Sequence, residues 1–255
     1  MKGKTIAIWG SPSSGKTTFS IKLAKKLAEE KRDVILVFSD LICPSINTIL
    51  PNEKIKDKSL GNVLSAPILS EEVILTNLIN GKNKYINILG YKQRENVSTY
   101  AQYNIERVLE LFRTLENMTY YIIVDCTSYF FTDLLTSTVL EYSDTIFRLV
   151  EPSLKAISYF DSNLQLLMLQ KFKINKHINV LSNFREDESV REVKEIYRIK
   201  YELPYLEEIR EQTLSGDLFQ ELSKKKSQYN KTVDELASTL KNEDDIKKCK
   251  LWRNK

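Results

Sequence analysis

The sequence predicts an α/β fold, a mostly parallel central sheet with helices on both faces. Runs such as Val34-Ile35-Leu36-Val37-Phe38 and Ile122-Ile123-Val124 are apolar throughout, as in strands buried on both sides. Amphipathic stretches with helical spacing separate these runs. Gly10, Asp40 and Asp125 stand just past three of the apolar runs, so polar residues collect at the carboxyl end of the sheet, where such folds place their ligands.

Strand one is expected over Thr5 to Trp9. The next helix sets Phe19, Leu23, Ala24, Leu27 and Ala28 on one side, with Lys22, Lys25, Lys26, Glu29 and Glu30 facing out. The strand Asp33 to Phe38 ends at Ser39-Asp40. From Leu41 to Ala66 the chain reads as irregular, broken by Pro44 and Pro51, with Pro67 just beyond. Ser70 before Glu71 and Glu72 reads as the N-cap and acidic first turn of a helix to about Ile79. Lys84 to Gly90 reads as a strand. Ala101 to Leu115 reads as a helix that buries Ile105, Val108, Leu109, Phe112 and Leu115. Tyr120 to Asp125 is a strand, followed by a helix around Thr132 to Leu140 and a strand over Thr145 to Val150. Leu154 to Lys171 is expected to be helical, Ile178 to Ser182 a strand and Glu186 to Ile196 a charged surface helix. Helices are also expected over Asp217 to Leu222 and Lys231 to Leu240. No repeat or linker divides the chain, so one domain is expected over residues 1–241, with a basic tail at 242–255.

The strongest motif is Gly10-Ser11-Pro12-Ser13-Ser14-Gly15-Lys16-Thr17, a Gly-x-x-x-x-Gly-Lys-Thr loop after a strand and before a helix. The two glycines let the backbone curl so that successive N–H groups point at phosphate oxygens. The helix start adds its positive dipole end. Lys16 would reach the β- and γ-phosphates, and the Thr17 hydroxyl would ligate Mg²⁺. Asp125, closing an apolar strand, can hold the same ion, usually through a water. If the strand before Asp40 neighbours the first, Asp40 lies near the γ-phosphate and can orient an attacking water.

Composition narrows the classes. With 255 residues and 42% apolar content the chain can bury a real core. A net charge of +4 tolerates phosphate ligands without marking a nucleic-acid binder. Cys43, Cys126 and Cys249 are widely spaced and lack a metal-ligand pattern, as expected of reduced thiols in a cytoplasmic protein. No apolar run reaches the roughly 18 residues of a membrane span.

With these residues in place, the chain resembles the ParA/MinD group of ATPases. The phosphate loop near the N-terminus, the strand exiting at Asp40 and the strand ending in Asp125 match that pattern. Ser59 to Leu64 before an acidic helix is similar to the segment after the family's first switch. Tyr142 to Ile146, Val150 to Ser153, Val180 to Asn183 and Leu203-Pro204-Tyr205 with Gly216 downstream match later stretches in order. The resemblance spans about residues 1 to 225. It implies ATP with Mg²⁺ as ligands, phosphate contacts from Gly10, Ser11, Ser13, Ser14, Gly15, Lys16, Thr17 and Thr18, and a base framed by Asn183, Pro204 and Tyr205. It also implies a nucleotide-dependent homodimer that serves a larger protein assembly.

The departures bear on activity. The family's loop carries a signature lysine that reaches a dimer partner's phosphates; that position is Ser11 here. Phe38 replaces an acid two residues before Asp40, and Thr127, Ser128 and Tyr129 replace the usual Pro and Gly after Asp125. Loss of such a trans charge costs roughly 10³-fold or more in rate, so slow or partner-stimulated hydrolysis is expected. The altered loops resemble the TadZ/CpaE branch of pilus-assembly proteins.

Two other classes stay open. One is a non-hydrolysing, nucleotide-gated scaffold. The other is a small-molecule phosphotransferase, which needs an arginine-rich lid where the middle segment offers few arginines, Arg94 and Arg107 among them. A DNA-partition role is a weaker alternative. No Asn-Lys-x-Asp guanine motif is present, and Asn183 alone does not decide between ATP and GTP. His177 and Trp9 are expected to be structural, and Tyr129, Phe130 and Phe131 to belong to the core, a mobile hydrophobic segment that reports the nucleotide to a partner being the alternative. Lys54, Lys56 and Lys58 are expected to be solvated. The stub Lys247 to Lys255, with Leu251 and Trp252, is expected to be a solvated tail, a membrane-surface contact being the alternative.

Overall fold

In the computed structural model, which describes residues 2–51, 55, 57–172, 174–185 and 190–253, one eight-stranded sheet runs through the protein. The elements are β1 (Lys4–Gly10), α1 (Lys16–Ala28), β2 (Val34–Phe38), α2 (Ile46–Ile49), α3 (Leu60–Ser65), α4 (Glu71–Asn77), β3 (Ile79–Asn80), β4 (Ile86–Gly90), α5 (Ile105–Met118), β5 (Tyr121–Asp125), α6 (Leu134–Tyr142), β6 (Thr145–Val150), α7 (Leu154–Leu167), β7 (His177–Phe184), α8 (Arg191–Ile196), β8 (Tyr201–Pro204), α9 (Glu207–Ser215) and α10 (Gln228–Arg253). The sheet order is β3-β4-β2-β5-β1-β6-β7-β8. The short β3 pairs antiparallel with β4, and the other pairings are parallel, in line with the expected architecture.

The central strands are apolar throughout because both sides of the sheet are covered. On one side Ile6, Ile8, Leu36 and Ile123 pack with Phe19 and Leu23 of α1 and Val233 and Leu236 of α10. On the other, Ala7, Trp9, Val37 and Val124 pack with Phe112 of α5, Val139 of α6 and Phe160 of α7. Successive residues of one strand thus feed opposite cores. Side-chain caps open the helices: Ser70 accepts from the Val73 amide as the sequence predicted, and Asn104, Asp133 and Ser153 do the same for α5, α6 and α7.

Several boundaries differ from expectation. Leu41 to Ala66 contains two short helices, α2 and α3. Residues 217–222 form no helix: Gly216 takes a left-handed φ of 72° at the C-cap of α9, and Leu218, Phe219 and Leu222 bury themselves from a turn. The backbone of α10 runs from Gln228 past residue 242 to Arg253. Lys54, Lys56, the first residues of the charged helix at 186–189 and the side chains of the C-terminal stub, Cys249 included, lie outside the described residues. Among the described residues no helix is long and apolar enough to cross a membrane.

Candidate nucleotide site

The phosphate loop leaves β1 at Gly10, where the backbone passes so close to β6 that a Cβ would stand 2.3 Å from the Leu149 carbonyl oxygen. Ser13 and Gly15 both take positive φ, 63° and 79°. These left-handed steps turn the chain around a hollow. Ser14 Oγ donates to the Ser11 carbonyl at 2.8 Å and tightens the loop. Gly15, at the N-cap of α1, brings no side chain to satisfy the first-turn amides, so they remain available to an anion.

Strand order brings the charged groups together. β5 lies between β1 and β2, and Ile8 of β1 pairs with Asp125. Thr17 Oγ1 donates to Asp125 Oδ2 at 2.6 Å, while the buried Asp125 Oδ1 has no partner among the described residues. Burial raises the Asp125 carboxyl to about 6, against the pull of the Thr17 hydrogen bond and the Lys16 charge. Lys16 Nζ donates to the Ser11 carbonyl at 2.9 Å and to Ser128 Oγ at 2.7 Å. Burial lowers its pKa, with Asp125 and Asp40 acting in opposition.

Asp40 stands one strand further from the loop than its sequence reading supposed. Its placement beside the γ-phosphate was conditional on β2 neighbouring β1, and β5 separates the two. Asp40 Oδ1 accepts from the Ile42 and Cys43 amides, both at 2.9 Å, and so shapes its own loop. Its charge still acts on Lys16 and Asp125 through space.

A cavity of about 280 Å³ opens beside the loop. Ser13, Ser14, Gly15 and Thr18 line one side; Asn183, Pro204 and Tyr205 line another. Asn183 sits at a positive φ of 55°, and the Arg185 guanidinium lies 4.5 Å from the Tyr205 ring centroid. A second cavity, about 390 Å³, lies against α1 and α10, but three of its lysines are engaged: Lys25 with Glu221, Lys26 with Glu29 and Asp234, and Lys22 by donation to Gln212 Oε1 and the Gln220 carbonyl. The smaller cavity therefore has the better claim on a ligand.

Sequence reasoning missed Ser128 as the Lys16 partner, Ser182, whose buried and unpartnered hydroxyl borders the cavity, and the α9 residues Ile209 and Thr213 along its wall. Ser128 was visible only as a replacement in the segment after Asp125. The three aromatics beside it divide: Phe130 is buried against Trp9, whereas Tyr129 and Phe131 are 57% and 58% exposed, so only Phe130 is core. Trp9 is fully buried on the sheet and His177 half-buried at the start of β7. Cys43 and Cys126 are free thiols, one exposed and one buried.

A parallel sheet with a glycine loop, Lys16, Thr17 and a strand-end carboxylate defines the P-loop nucleotide-binding fold class. Its structural neighbours are ATPases of the MinD/ParA family. A ParA family ATPase from Chlorobium tepidum TLS is 19% identical, with a TM-score of 0.76, covering 92% of this chain and 98% of its own. The MinD cell division protein of Aquifex aeolicus is 17% identical, with a TM-score of 0.73, covering 94% and 97%. The septum site-determining protein MinD of Pyrococcus horikoshii OT3, complexed with Mg-ADP, is 17% identical, with a TM-score of 0.70, covering 93% and 96%. At these identities the likeness is one of fold. A family profile described as chromatin associated protein KTI12 matches residues 5–65, the phosphate loop and the two strands around it. No curated protein sequence matches the chain.

The residues present fit a magnesium ion. Asp125 Oδ1 is a buried carboxylate oxygen with no protein partner, and the Thr17 hydroxyl adjoins its other oxygen. Among the described residues no cluster of three or more His, Cys, Asp or Glu side chains could hold a metal, so an ion here would need ligand oxygens as well.

Proposed function

We propose that this chain binds ATP with Mg²⁺ and acts as a nucleotide-gated switch of the ParA/MinD kind. The Thr17–Asp125 hydrogen bond carries the reading, because it sets a hydroxyl and a buried carboxylate with a spare oxygen at the mouth of the glycine loop. Backbone amides from Gly10 to Thr18 would receive the phosphates, and Lys16 would bind the β- and γ-groups. Thr17 and Asp125 would hold Mg²⁺, which when bound neutralises phosphate charge. Asp40 would orient the water, and Asn183, Pro204 and Tyr205 would frame the base.

Hydrolysis is slow unless a partner stimulates it, because Ser11 stands where the family's trans-acting lysine would be. The protein pairs with a second copy when nucleotide is bound and serves the positioning or assembly of a larger machine of pilus, secretion or partition type. The TadZ/CpaE branch is the narrower form of this reading. Tyr129 and Phe131, exposed next to the Lys16 partner Ser128, support a nucleotide-sensitive protein contact. A second reading, a non-hydrolysing scaffold, is favoured by the engagement of Asp40 Oδ1 with two backbone amides.

Calorimetric titration with Mg-ATP tests the core of the reading. Micromolar binding is expected, and Lys16→Ala should abolish it. Equal binding by that variant, or no heat with any nucleotide, would remove the assignment. Single-turnover assays with and without lipid or DNA then separate a switch that hydrolyses from one that does not.

A further inference from the structure

Arg148 lies within β6, with Trp9 opposite on β1 and Asn179 opposite on β7. It is 6% exposed, yet its Nε and Nη1 groups have no hydrogen-bond acceptor among the described residues. It makes no ion pair there either; its contact is with the Phe160 ring, 5.9 Å from guanidinium carbon to centroid. Burial draws the guanidinium down to about 10, which still leaves it charged at neutral pH.

Other buried polar atoms around it also lack partners, and none of them carries a negative charge. The Phe160 ring lies 5.4 Å from that of Tyr197, whose hydroxyl is buried and unpartnered. Asn179 Nδ2 donates to the Tyr197 carbonyl at 2.5 Å, and its Oδ1 is unpaired. His177, two residues earlier in β7, is held near pKa 4 by burial and by Arg148, so it is neutral and adds no second charge. Ile146, Val150, Leu181 and Phe172 complete an apolar layer on this side of the sheet.

A fixed cation in such a layer is strongly unfavourable without a counter-charge. Water can satisfy the N–H groups but brings no charge. A carboxylate on another macromolecule is too large to reach a side chain this enclosed. We propose that Arg148 and the Tyr197 hydroxyl hold a small monovalent anion, chloride or an ion of its size, between the sheet and the α7–α8 layer. The site lies outside the nucleotide cavity, and its test does not depend on nucleotide binding.

Thermal unfolding would be followed while chloride replaces gluconate at a constant ionic strength of about 0.15 M. Chloride should raise Tm along a saturating curve, and Arg148→Met should show no such rise. Trp9, directly across from Arg148, supplies a second readout in a Trp252→Phe background. Iodide should quench its emission saturably, and chloride should reverse the quenching. Equal Tm in both salts, or a chloride-dependent rise that Arg148→Met retains, would overturn the site. Should Arg148→Met not fold, the quenching decides: a linear response insensitive to chloride rejects the proposal.

Discussion

Thr17 Oγ1 and Asp125 Oδ2 stand 2.6 Å apart, joining the first turn of α1 to the end of β5 across 108 residues of sequence. The hydroxyl donates, so Asp125 keeps one oxygen engaged and the other free at the place where a phosphate-bound ion would sit. Thr17→Ala should leave ATP affinity in EDTA nearly unchanged while reducing the gain from added Mg²⁺ about tenfold, the worth of one hydrogen bond or ligand to a charged group. Paired calorimetric titrations with and without Mg²⁺ measure this. An undiminished Mg²⁺ gain would place the ion elsewhere.

The same carboxylate gives the protein a pH dependence. Burial lifts Asp125 from 3.8 to about 6 in the folded state. Between these values the folded protein retains a proton that the unfolded chain has released, so stability falls as pH rises through the window and levels off above it. The ionised buried acid costs roughly 1–3 kcal/mol at pH 7. Asp125→Asn should therefore raise nucleotide-free stability at pH 7 and flatten the slope between about pH 4 and 6. Urea unfolding across that range checks both, and identical slopes would show that Asp125 is not the titrating group.

Gly10 and Gly15 answer to different constraints, and substitution separates them. A Cβ on Gly10 would meet the Leu149 carbonyl oxygen at 2.3 Å and Ser14 Oγ at 2.9 Å, so β1 and β6 would have to part. Gly10→Ala should cost about 1–3 kcal/mol of stability. A Cβ on Gly15 meets nothing within 4 Å; only its φ of 79° opposes a side chain, at about 1–2 kcal/mol. Thermal unfolding of the two variants should accordingly show the larger loss at Gly10.

Asp40→Asn tests the proposed water-orienting role without dismantling the loop. Asparagine keeps the Oδ1 acceptor for the Ile42 and Cys43 amides and removes only the charge. Single-turnover hydrolysis should fall by about 10²-fold with nucleotide affinity unchanged. Unchanged turnover would reduce Asp40 to a structural turn residue.

The parts of this arrangement that were legible in the sequence are those that short-range physics dictates. Val34–Phe38 reads as a strand because burial on both faces erases alternation, and the Gly10–Thr17 loop reads as a phosphate cradle because its spacing serves the backbone. β8 lacked any such signal, being four residues long and ending in Pro204. Residues 217–222 carried an apolar spacing that a turn satisfies as well as a helix does. The neighbours of Asp40 and Lys16 depend on strand order, and β5 enters between β1 and β2 from more than eighty residues further along the chain than β2. Tyr129, Phe130 and Phe131 have no periodicity from which a buried and an exposed side could be read.

If nucleotide binds as proposed, the cavity wall opposite the phosphate loop would set which base is preferred. Asn183 projects from the end of β7 with φ 55°, Pro204 ends the neighbouring strand and Tyr205 follows it. An amide can accept from the adenine 6-amino group and donate to a neighbouring ring nitrogen, whereas guanine's reversed groups require the amide to turn by about 180°. Asn183→Asp keeps the shape and the acceptor but replaces the donor with a charge. It should weaken ATP about tenfold and narrow the ATP-to-GTP ratio, with the phosphate contacts and Mg²⁺ dependence unaffected. Competition titrations with ATP, GTP and inorganic triphosphate measure all three quantities. A change in triphosphate affinity equal to that for ATP would show that Asn183 acts on the phosphates and not on the base.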